Sequence, residues 1–205
     1  GLMVICPDTS PRGLQLPAEH ESWDFGSGAS FYVNAQTEGY RDYYRMETYL
    51  TEELYTLIQE RFEVGQKISI FGHSMGGHGA LALGLRHPKK FRSISAFAPI
   101  VNPSKCPWGQ KAFQGYLGDD QALCSSYDTC ELVEQGKKHP QPLLIDQGTE
   151  DEFLEKQLLT ENLLRVCEKR GQALDLKYRL GYDHNYYFIS TFIERHINFH
   201  QKAIG

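Results

Sequence analysis

Short apolar runs alternate along the chain with longer segments in which apolar residues recur at helical spacing. The short runs predict buried strands at 2–6, 67–71, 93–97, 142–146 and 173–180. The longer segments predict helices at 45–62, 76–87, 155–170 and 186–203. Because strands that alternate with helices form a parallel sheet covered on both faces, the order of the elements predicts an α/β fold.

Two of the predicted helices have a recognisable apolar side. In the helix at 45–62 this side is expected to face the core, and it contains Met46, Leu50, Leu54, Leu57, Ile58 and Phe62. In the last helix the apolar side includes Phe188, Phe192 and Ile197. The helix at 76–87 is expected to end at His87, since Pro88 cannot continue the hydrogen-bond ladder.

Irregular segments separate some of these elements. Residues 7–44 are rich in Gly, Pro, Ser and Asp and predict a long loop, and residues 102–139 predict a small excursion with turns and short helices. Without a repeat or a linker, residues 1–205 are expected to form one domain. Gly1-Leu2-Met3 is not a natural start, and the sequence opens in the middle of a predicted strand, of which it shows residues 2–6. We therefore expect it to be the C-terminal portion of a longer chain, with N-terminal strands of the sheet missing.

The strand at 67–71 runs into the sequence Gly72-His73-Ser74-Met75-Gly76. The pattern G-x-S-x-G between a buried strand and a helix is typical of a nucleophile elbow, a sharp turn that lifts the serine hydroxyl above the strand end. Glycines two residues to either side of the serine are expected to let the helix approach the strand. The alternative is a glycine-rich turn with an inert serine. We predict that Ser74 is a nucleophile.

A serine hydroxyl needs a neighbouring base, and the base needs an acid that orients it. In α/β-hydrolases the chain order is Ser, then Asp or Glu, then His. His184 follows the last predicted strand in the turn that precedes the last helix, where its imidazole can reach the elbow. His184 is therefore the predicted base, and the alternative is a loop histidine that caps the last helix.

The other histidines that follow Ser74 are less suitable by position. His78 and His87 lie on the helix of the elbow itself, too close in sequence to turn back onto the serine. His139 precedes the strand at 142–146 and so has no acid before it in the expected place. His196 and His200 lie within the last helix among polar neighbours and are expected to be solvated.

The acid is expected after the strand at 142–146. Asp151 lies in the loop proper, where it can reach a histidine on the neighbouring loop, and Glu150 is the second choice. Asp146 is still within the strand end and is expected to orient backbone groups. Asp183 is adjacent to His184, and because neighbouring side chains diverge it is interpreted as a turn residue or a helix cap.

Composition limits the classes of function. The 205 residues have a net charge of −5 with both signs interspersed, which indicates no nucleic-acid partner. No apolar run reaches the length of a membrane span, and no metal-ligand spacing is present. The five cysteines are expected to be free thiols in a reducing compartment, with a bridge between Cys124 and Cys130 as the alternative. A cytoplasmic enzyme with a small-molecule substrate is the expectation.

The developing oxyanion also needs fixed donors. The backbone N–H of Met75 can supply one at the start of the helix, where the helix dipole favours negative charge. The second donor normally comes from the loop after an earlier strand, which this sequence does not contain.

Several longer blocks resemble the S-formylglutathione hydrolase (esterase D) family of α/β-hydrolases, from one end of the chain to the other. Among them are Glu21-Ser22-Trp23-Asp24-Phe25-Gly26, Phe71-Gly72-His73-Ser74-Met75-Gly76-Gly77-His78-Gly79, Ile145-Asp146-Gln147-Gly148 and Gly181-Tyr182-Asp183-His184. The resemblance implies a triad of Ser74, Asp151 and His184.

The resemblance also implies hydrolysis of the thioester S-formylglutathione to glutathione and formate, the last step of glutathione-dependent formaldehyde detoxification, together with general carboxylesterase activity. It implies no metal and no cofactor, and a homodimer. Trp108 corresponds to a family residue that walls a narrow acyl pocket, unless it only packs the excursion at 102–139.

Two alternatives remain open at this point. One is a related small-acyl, feruloyl or sugar O-acetyl esterase, or an acyltransferase similar to the mycolyltransferases. The other is a truncated, non-catalytic hydrolase fold that binds partners through an exposed sheet edge. A separated but intact set of Ser74, Asp151 and His184 argues against the second alternative.

Overall fold

A computed structural model describes residues 1–205. It contains the four strands β1 (Ile68–His73), β2 (Phe91–Phe97), β3 (Leu143–Gly148) and β4 (Leu174–Arg179). The helices are α1 (Met46–Thr48), α2 (Leu54–Arg61), α3 (Met75–Arg86), α4 (Pro107–Leu117), α5 (Gln121–Tyr127), α6 (Thr129–Glu134), α7 (Thr160–Arg170) and α8 (Tyr186–Ile204). All strand pairs are parallel, and the sheet order is β1-β2-β3-β4. The predicted α/β architecture is confirmed.

The two faces of the sheet differ in chemistry because successive side chains of a strand point to opposite faces. In β2, Ile94 and Ala96 join an apolar cluster with residues of α3, α6 and α7. Ser93 and Ser95 of the same strand point to the other face and form hydrogen bonds with α8. One face of the sheet is therefore covered by an apolar layer, and the other by α8 through a layer that is partly polar.

A second apolar cluster lies at the end of the sheet where β2 ends, at Phe97. Residues 25–44 of the long loop contribute aromatic side chains to it, and α4 and α5 of the excursion pack against them. Tyr116 of α4 stacks on Phe25 and binds the loop backbone, accepting from the N–H of Gly26 at 2.7 Å and donating to the carbonyl of Ala29 at 2.8 Å. The segment predicted as a loop is thus part of the core.

The prediction of a strand at 2–6 is wrong. Residues 1–8 have no regular secondary structure, and Met3, Val4 and Ile5 are exposed. β1 lies at the edge of the sheet and pairs only with β2, and residues 2–6 pair with no strand of this chain. An apolar run predicts a strand only where a partner strand satisfies its hydrogen bonds.

The helix predicted at 45–62 is present with an irregular centre. A π-helical stretch at Tyr49–Glu53 lies between α1 and α2. Leu57 and Phe62, expected to be buried, are 45% and 49% exposed. The π stretch has one residue more per hydrogen-bonded ring than an α-helix, so it rotates the later apolar positions away from the face that Met46 buries.

The helix predicted at 155–170 is also interrupted. A π-helical stretch at Leu154–Leu158 precedes α7, and Leu159 between them has a φ of 57°. The remaining strands and helices lie within a few residues of their predicted bounds. No helix in the structure combines the length and the hydropathy that crossing a bilayer requires.

Candidate active site

Ser74 lies in the turn between β1 and α3, with φ 58° and ψ −118°. A positive φ is uncommon for a residue with a Cβ, and holding it costs about 1–3 kcal/mol. The surrounding backbone holds the turn, since the N–H of Ser74 donates to the carbonyl of Phe97 at 2.9 Å and the N–H of His78 donates to the carbonyl of Ser74 at 2.9 Å. This is the local geometry predicted for a nucleophile elbow.

The glycines around the turn have unequal roles. A Cβ on Gly72 would lie 2.2 Å from the carbonyl oxygen of Gly76, so Gly72 has no room for a side chain. A Cβ on Gly76 would meet only Tyr32 Oη, at 4.0 Å. The close approach of α3 to the sheet depends instead on Gly77, where a Cβ would lie 2.8 Å from Pro99 Cβ. The expectation for Gly76 was therefore wrong.

Asp151 and His184 form a close pair above the carboxyl ends of β3 and β4. His184 Nδ1 lies 2.6 Å from Asp151 Oδ2, and the side chain of Asp151 is fully buried while that of His184 is 17% exposed. A carboxylate oxygen is an acceptor only, so Nδ1 carries the proton and the neutral ring has its lone pair on Nε2. This is the tautomer that a general base requires.

The loops that carry Asp151 and His184 are joined by their backbones. The N–H of Glu150 donates to the carbonyl of Tyr182 at 2.9 Å, and a Cβ on Gly148 would lie 2.2 Å from the same oxygen. A glycine at 148 is therefore required for the two loops to meet. Their contact brings together two residues that are 33 positions apart in the chain.

The ring of His184 lies beside the elbow. Its centroid is 4.4 Å from the ring centroid of His73, the residue that precedes Ser74. On another side it meets the edge of Phe153, with centroids 5.0 Å apart and planes at 83°. No hydrogen bond joins the Ser74 hydroxyl to His184 Nε2 in this structure. Such bonds are often long in the free enzyme and tighten with substrate.

His73 is itself unsuited to act as a base. Burial, together with the smaller effect of the nearby His184, lowers the pKa of His73 to about 4. Its Nε2 is buried without a hydrogen-bond partner. His73 is therefore neutral near neutral pH and presents an uncharged ring to His184.

The competing carboxylates lie elsewhere. The side chain of Glu150 is exposed, and Asp183 accepts hydrogen bonds from Asn185, the cap residue of α8, as expected for a turn residue. The expectation that Asp146 orients backbone groups was wrong, because its side chain points to the α8 face of the sheet and binds Arg179, Arg195 and His196.

The expectation that His196 and His200 are solvated was also wrong. Their exposed fractions are 0% and 3%. Ser95 Oγ lies 2.8 Å from His196 Nδ1 and 2.7 Å from His200 Nε2, and Ser93 Oγ lies 2.7 Å from His200 Nδ1. Polar partners on the sheet face allow these polar residues of α8 to be buried.

Met75 is the first residue of α3, a helix of 12 residues. Its backbone N–H has no partner within the helix and points out of the helix N-terminus, next to Ser74. The partial positive charge at this end of α3 adds to the attraction for an anion. The position is therefore suited to hold negative charge that develops near the Ser74 hydroxyl.

Trp108 does not contact His184 directly. An aromatic row extends from His184 through Phe153 and Trp108 to Trp23, with centroids 5.0, 4.8 and 5.0 Å apart in turn. Trp23 is 72% exposed at the outer end. Phe153, Trp23 and His73 were not predicted as site residues, although Phe153 and His73 lie within two residues of a predicted catalytic residue.

No group of three or more His, Cys, Asp or Glu side chains is arranged to hold a metal ion. All five cysteines are free, four of them buried and Cys6 exposed, which agrees with the prediction of free thiols. The bridge between Cys124 and Cys130 is absent.

The family model described as "Putative esterase" matches residues 1–199. The chain is 53% identical over 207 residues to an S-formylglutathione hydrolase of Rattus norvegicus, and 48% identical over 206 residues to one of Arabidopsis thaliana. The whole chain is covered in both cases, together with 73% and 72% of the two relatives.

A solved structure of an S-formylglutathione hydrolase from Agrobacterium tumefaciens superimposes with a TM-score of 0.94 at 47% sequence identity. The match covers 98% of this chain and 72% of that one. Sequence and fold therefore agree over nearly the whole chain, which identifies the α/β-hydrolase fold. The chain belongs to the esterase family and, within it, to the S-formylglutathione hydrolases.

Proposed function

We propose that the protein hydrolyses S-formylglutathione to glutathione and formate, with Ser74 as nucleophile, His184 as base and Asp151 as the acid that orients the base. General carboxylesterase activity on small acyl esters follows from the same chemistry. The relatives named S-formylglutathione hydrolase, at about half identity over the whole chain, support this substrate.

In the first half of the reaction, Ser74 Oγ attacks the formyl carbon while His184 Nε2 accepts the hydroxyl proton. The carbonyl oxygen becomes an oxyanion, which the N–H of Met75 and the N-terminus of α3 stabilise. The intermediate collapses as the carbon–sulfur bond breaks, and His184 returns the proton to the departing glutathione sulfur. The product is a formyl ester on Ser74.

In the second half, His184 accepts a proton from water, and the oxygen of that water attacks the formyl ester. The carbon–oxygen bond to Ser74 breaks, His184 protonates Ser74 Oγ, and formic acid leaves and ionises to formate by releasing its proton to water. Asp151 stays ionised throughout, and stabilises the imidazolium that forms twice in the cycle.

One observation carries this proposal, the contact of 2.6 Å between His184 Nδ1 and Asp151 Oδ2. It leaves Nε2 as the basic nitrogen of a ring that lies beside the elbow. No other histidine of the chain has a buried carboxylate on one nitrogen and an unbound second nitrogen next to Ser74.

The test is the Ser74→Ala variant in the full chain. Alanine tolerates the same backbone angles as serine, so the fold is expected to persist while turnover of S-formylglutathione and labelling by a fluorophosphonate are both lost. Ser190→Ala, a change of an exposed serine on α8, is the matched control and should behave as the parent. Undiminished turnover in Ser74→Ala would refute the assignment.

We propose that Trp108, together with Phe153, bounds the acyl end of the site and limits it to small acyl groups. A formyl thioester should then be a better substrate than an aryl acetate, and an aryl acetate a better one than an aryl hexanoate. Comparison of kcat/KM for the three measures this preference. Equal values would contradict a narrow acyl pocket.

We propose that residues 1–205 belong to one domain, that the protein forms a homodimer and that it acts in the cytoplasm. The free cysteines support a reducing compartment. Analytical ultracentrifugation of the full chain tests the dimer, and fractionation of the source cells tests the compartment.

A further inference from the structure

We infer that Gln147 is a positioning residue for the acid–base pair, and that Thr160 holds Gln147 in place; this rests on the proposed function of Asp151 and His184. Gln147 is the fifth of the six residues of β3 and is fully buried. Its Nε2 lies 3.2 Å from Asp151 Oδ2, the same oxygen that accepts from His184 Nδ1. The catalytic acid therefore has a buried amide donor on its working oxygen.

The orientation of the Gln147 amide follows from its partners. Thr160 Oγ1 lies 3.0 Å from Gln147 Oε1, and Gln147 Nε2 also lies 3.1 Å from the carbonyl oxygen of Gly148. An amide turned the other way would bring its oxygen against the carboxylate and the carbonyl, which are both acceptors. The nitrogen therefore faces Asp151, and Thr160, which is 1% exposed, keeps it there.

The carboxylate of Asp151 is held at both oxygens. Oδ1 accepts from the backbone N–H of Phe153 at 2.9 Å, and Oδ2 accepts from Gln147 and His184. Two donors that do not take part in the reaction thus fix the plane of the carboxylate. His184 Nδ1 therefore donates to an acceptor that is already oriented. A fixed acceptor keeps the imidazole ring directed at Ser74 and prevents it from turning toward solvent.

The donor also controls how strongly Asp151 attracts a proton on His184. A hydrogen bond from a neutral amide disperses part of the charge on Oδ2. Without it, Oδ2 presents more charge to the imidazolium, and protonated His184 is favoured. A base that stays protonated cannot accept a proton from Ser74, so the acid limb of the pH–rate profile must move to higher pH.

Two variants separate this role from a purely structural one. Gln147→Met removes the donor at nearly constant volume and should move the midpoint of the acid limb of kcat/KM up by about 0.5–1 pH unit, with a fall in kcat of about tenfold. Gln147→Glu places a second carboxylate beside Asp151 and should move the midpoint further in the same direction.

Gln172→Met is the matched control. Gln172 is also a buried glutamine, 4% exposed, with Oε1 accepting from the N–H of His139 at 2.8 Å and Nε2 donating to the carbonyl of Ala173 at 2.9 Å. None of its partners lies at the site. Its replacement should lower the melting temperature without moving the acid limb.

The readout is the rate at which a fluorophosphonate labels Ser74 as a function of pH, alongside kcat/KM for S-formylglutathione. The labelling rate depends on the acid–base pair and not on the natural substrate. An upward shift in both Gln147 variants, absent in Gln172→Met, supports the inference. An acid limb at the parental pH in Gln147→Met and Gln147→Glu would overturn it while leaving the triad intact.

Thr160→Val provides a milder variant in case both Gln147 variants fail to fold. Loss of the hydroxyl frees the Gln147 amide to turn, so the shift should have the same sign and a smaller size. Thr160→Ser keeps the hydroxyl and should restore the parental profile. A Thr160→Val profile identical to that of Thr160→Ser would also overturn the inference.

Discussion

The structure contains two buried aspartates that each bind a histidine, Asp151 with His184 and Asp146 with His196. The nitrogen–oxygen distances are 2.6 and 3.0 Å. In the first pair His184 is partly exposed and its second nitrogen makes no hydrogen bond within the chain, whereas in the second pair His196 is fully buried and its second nitrogen binds Ser95. Of the two pairs, only that of Asp151 and His184 keeps a histidine nitrogen available for proton transfer.

The two pairs differ in charge as well. Asp146 also binds Arg179 at 2.6 Å and Arg195 at 2.8 Å. Burial raises the pKa of Asp146, but the hydrogen bonds from His196, Arg179 and Arg195 outweigh it and hold the pKa below its usual value. Asp151 receives neutral donors instead, Gln147 and the backbone of Phe153. The arginines make Asp146 a structural anion, whereas Asp151, which has no arginine partner, is suited to balance an imidazolium on His184.

The largest effect is expected when the acid of the candidate site is changed. Asp151→Asn keeps the shape of the side chain but lets His184 adopt the wrong tautomer, so kcat should fall about 10⁴-fold. Steady-state hydrolysis of S-formylglutathione measures it, with a circular-dichroism melt as the control for folding. A fall of less than tenfold would assign the acid to another residue.

The same substitution in the other pair should act on stability. Asp146→Asn leaves the partly buried Arg179 and Arg195 beside a neutral amide, and breaking pairs of which only the aspartate is fully buried costs about 3 kcal/mol, the lower end of the range for buried pairs. The free energy of unfolding, from urea titration, should fall by that amount while kcat at temperatures below the melt stays near the parental value. If Asp146→Asn instead abolished turnover and left stability unchanged, the roles of the two pairs would be reversed.

The histidines under α8 should make stability depend on pH. Burial, together with the smaller effect of the neighbouring His196, lowers the pKa of His200 from an ordinary value of 6.5 to about 4. As the pH falls, His200 therefore takes up a proton in the unfolded chain at a higher pH than in the folded chain. Its contribution to the free energy of unfolding is complete above pH 6.5 and is lost as the pH drops toward about 4. The loss attributable to His200 is about 3 kcal/mol.

Urea midpoints measured across this pH window give the slope. In His200→Gln the slope should be shallower, because that residue no longer titrates. An unchanged slope would mean that His200 does not exclude its proton in the folded state. Burial also lowers the pKa of His78 to about 4, so part of the slope should persist in the variant.

The smallest effects concern the aromatic ring beside each histidine. Phe97 stacks on His196 with centroids 3.7 Å apart, and Phe153 meets His184 at 5.0 Å. Phe97→Leu should cost about 1–2 kcal/mol of stability with little effect on kcat. Phe153→Leu should leave stability nearly unchanged and raise the relative rate on an aryl hexanoate about tenfold, since it opens the acyl end of the site. A change in substrate preference for Phe97→Leu together with a loss of stability for Phe153→Leu would contradict the different roles of the two pairs.

Much of the candidate site was predictable because its signals are local. The G-x-S-x-G pattern specifies a tight turn whose geometry depends on a few neighbouring residues, and Ser74 has the expected positive φ. The chain order of strand ends placed His184 and Asp151 in adjacent loops of a parallel sheet, and the two side chains lie together. The contact between Asp151 and His184 was therefore predictable from the order of the strands and loops alone.

The role of Gln147 was not predictable in the same way. Nothing in its neighbourhood along the chain distinguishes it from Gln172, and both are buried glutamines. What separates them is the partner on the far side of each amide, which depends on how α7 packs against β3. The side chains that support the site therefore require the tertiary structure.

By itself, the amino-acid sequence determined the order of strands and helices, the elbow at Ser74 and the loops that carry Asp151 and His184, because these follow from local turn geometry and apolar periodicity. Only the tertiary structure decided that the strand at 2–6 does not form and that His196 and His200 are buried. A strand needs a partner for its backbone, and a polar side chain can be buried only where distant residues supply its hydrogen bonds.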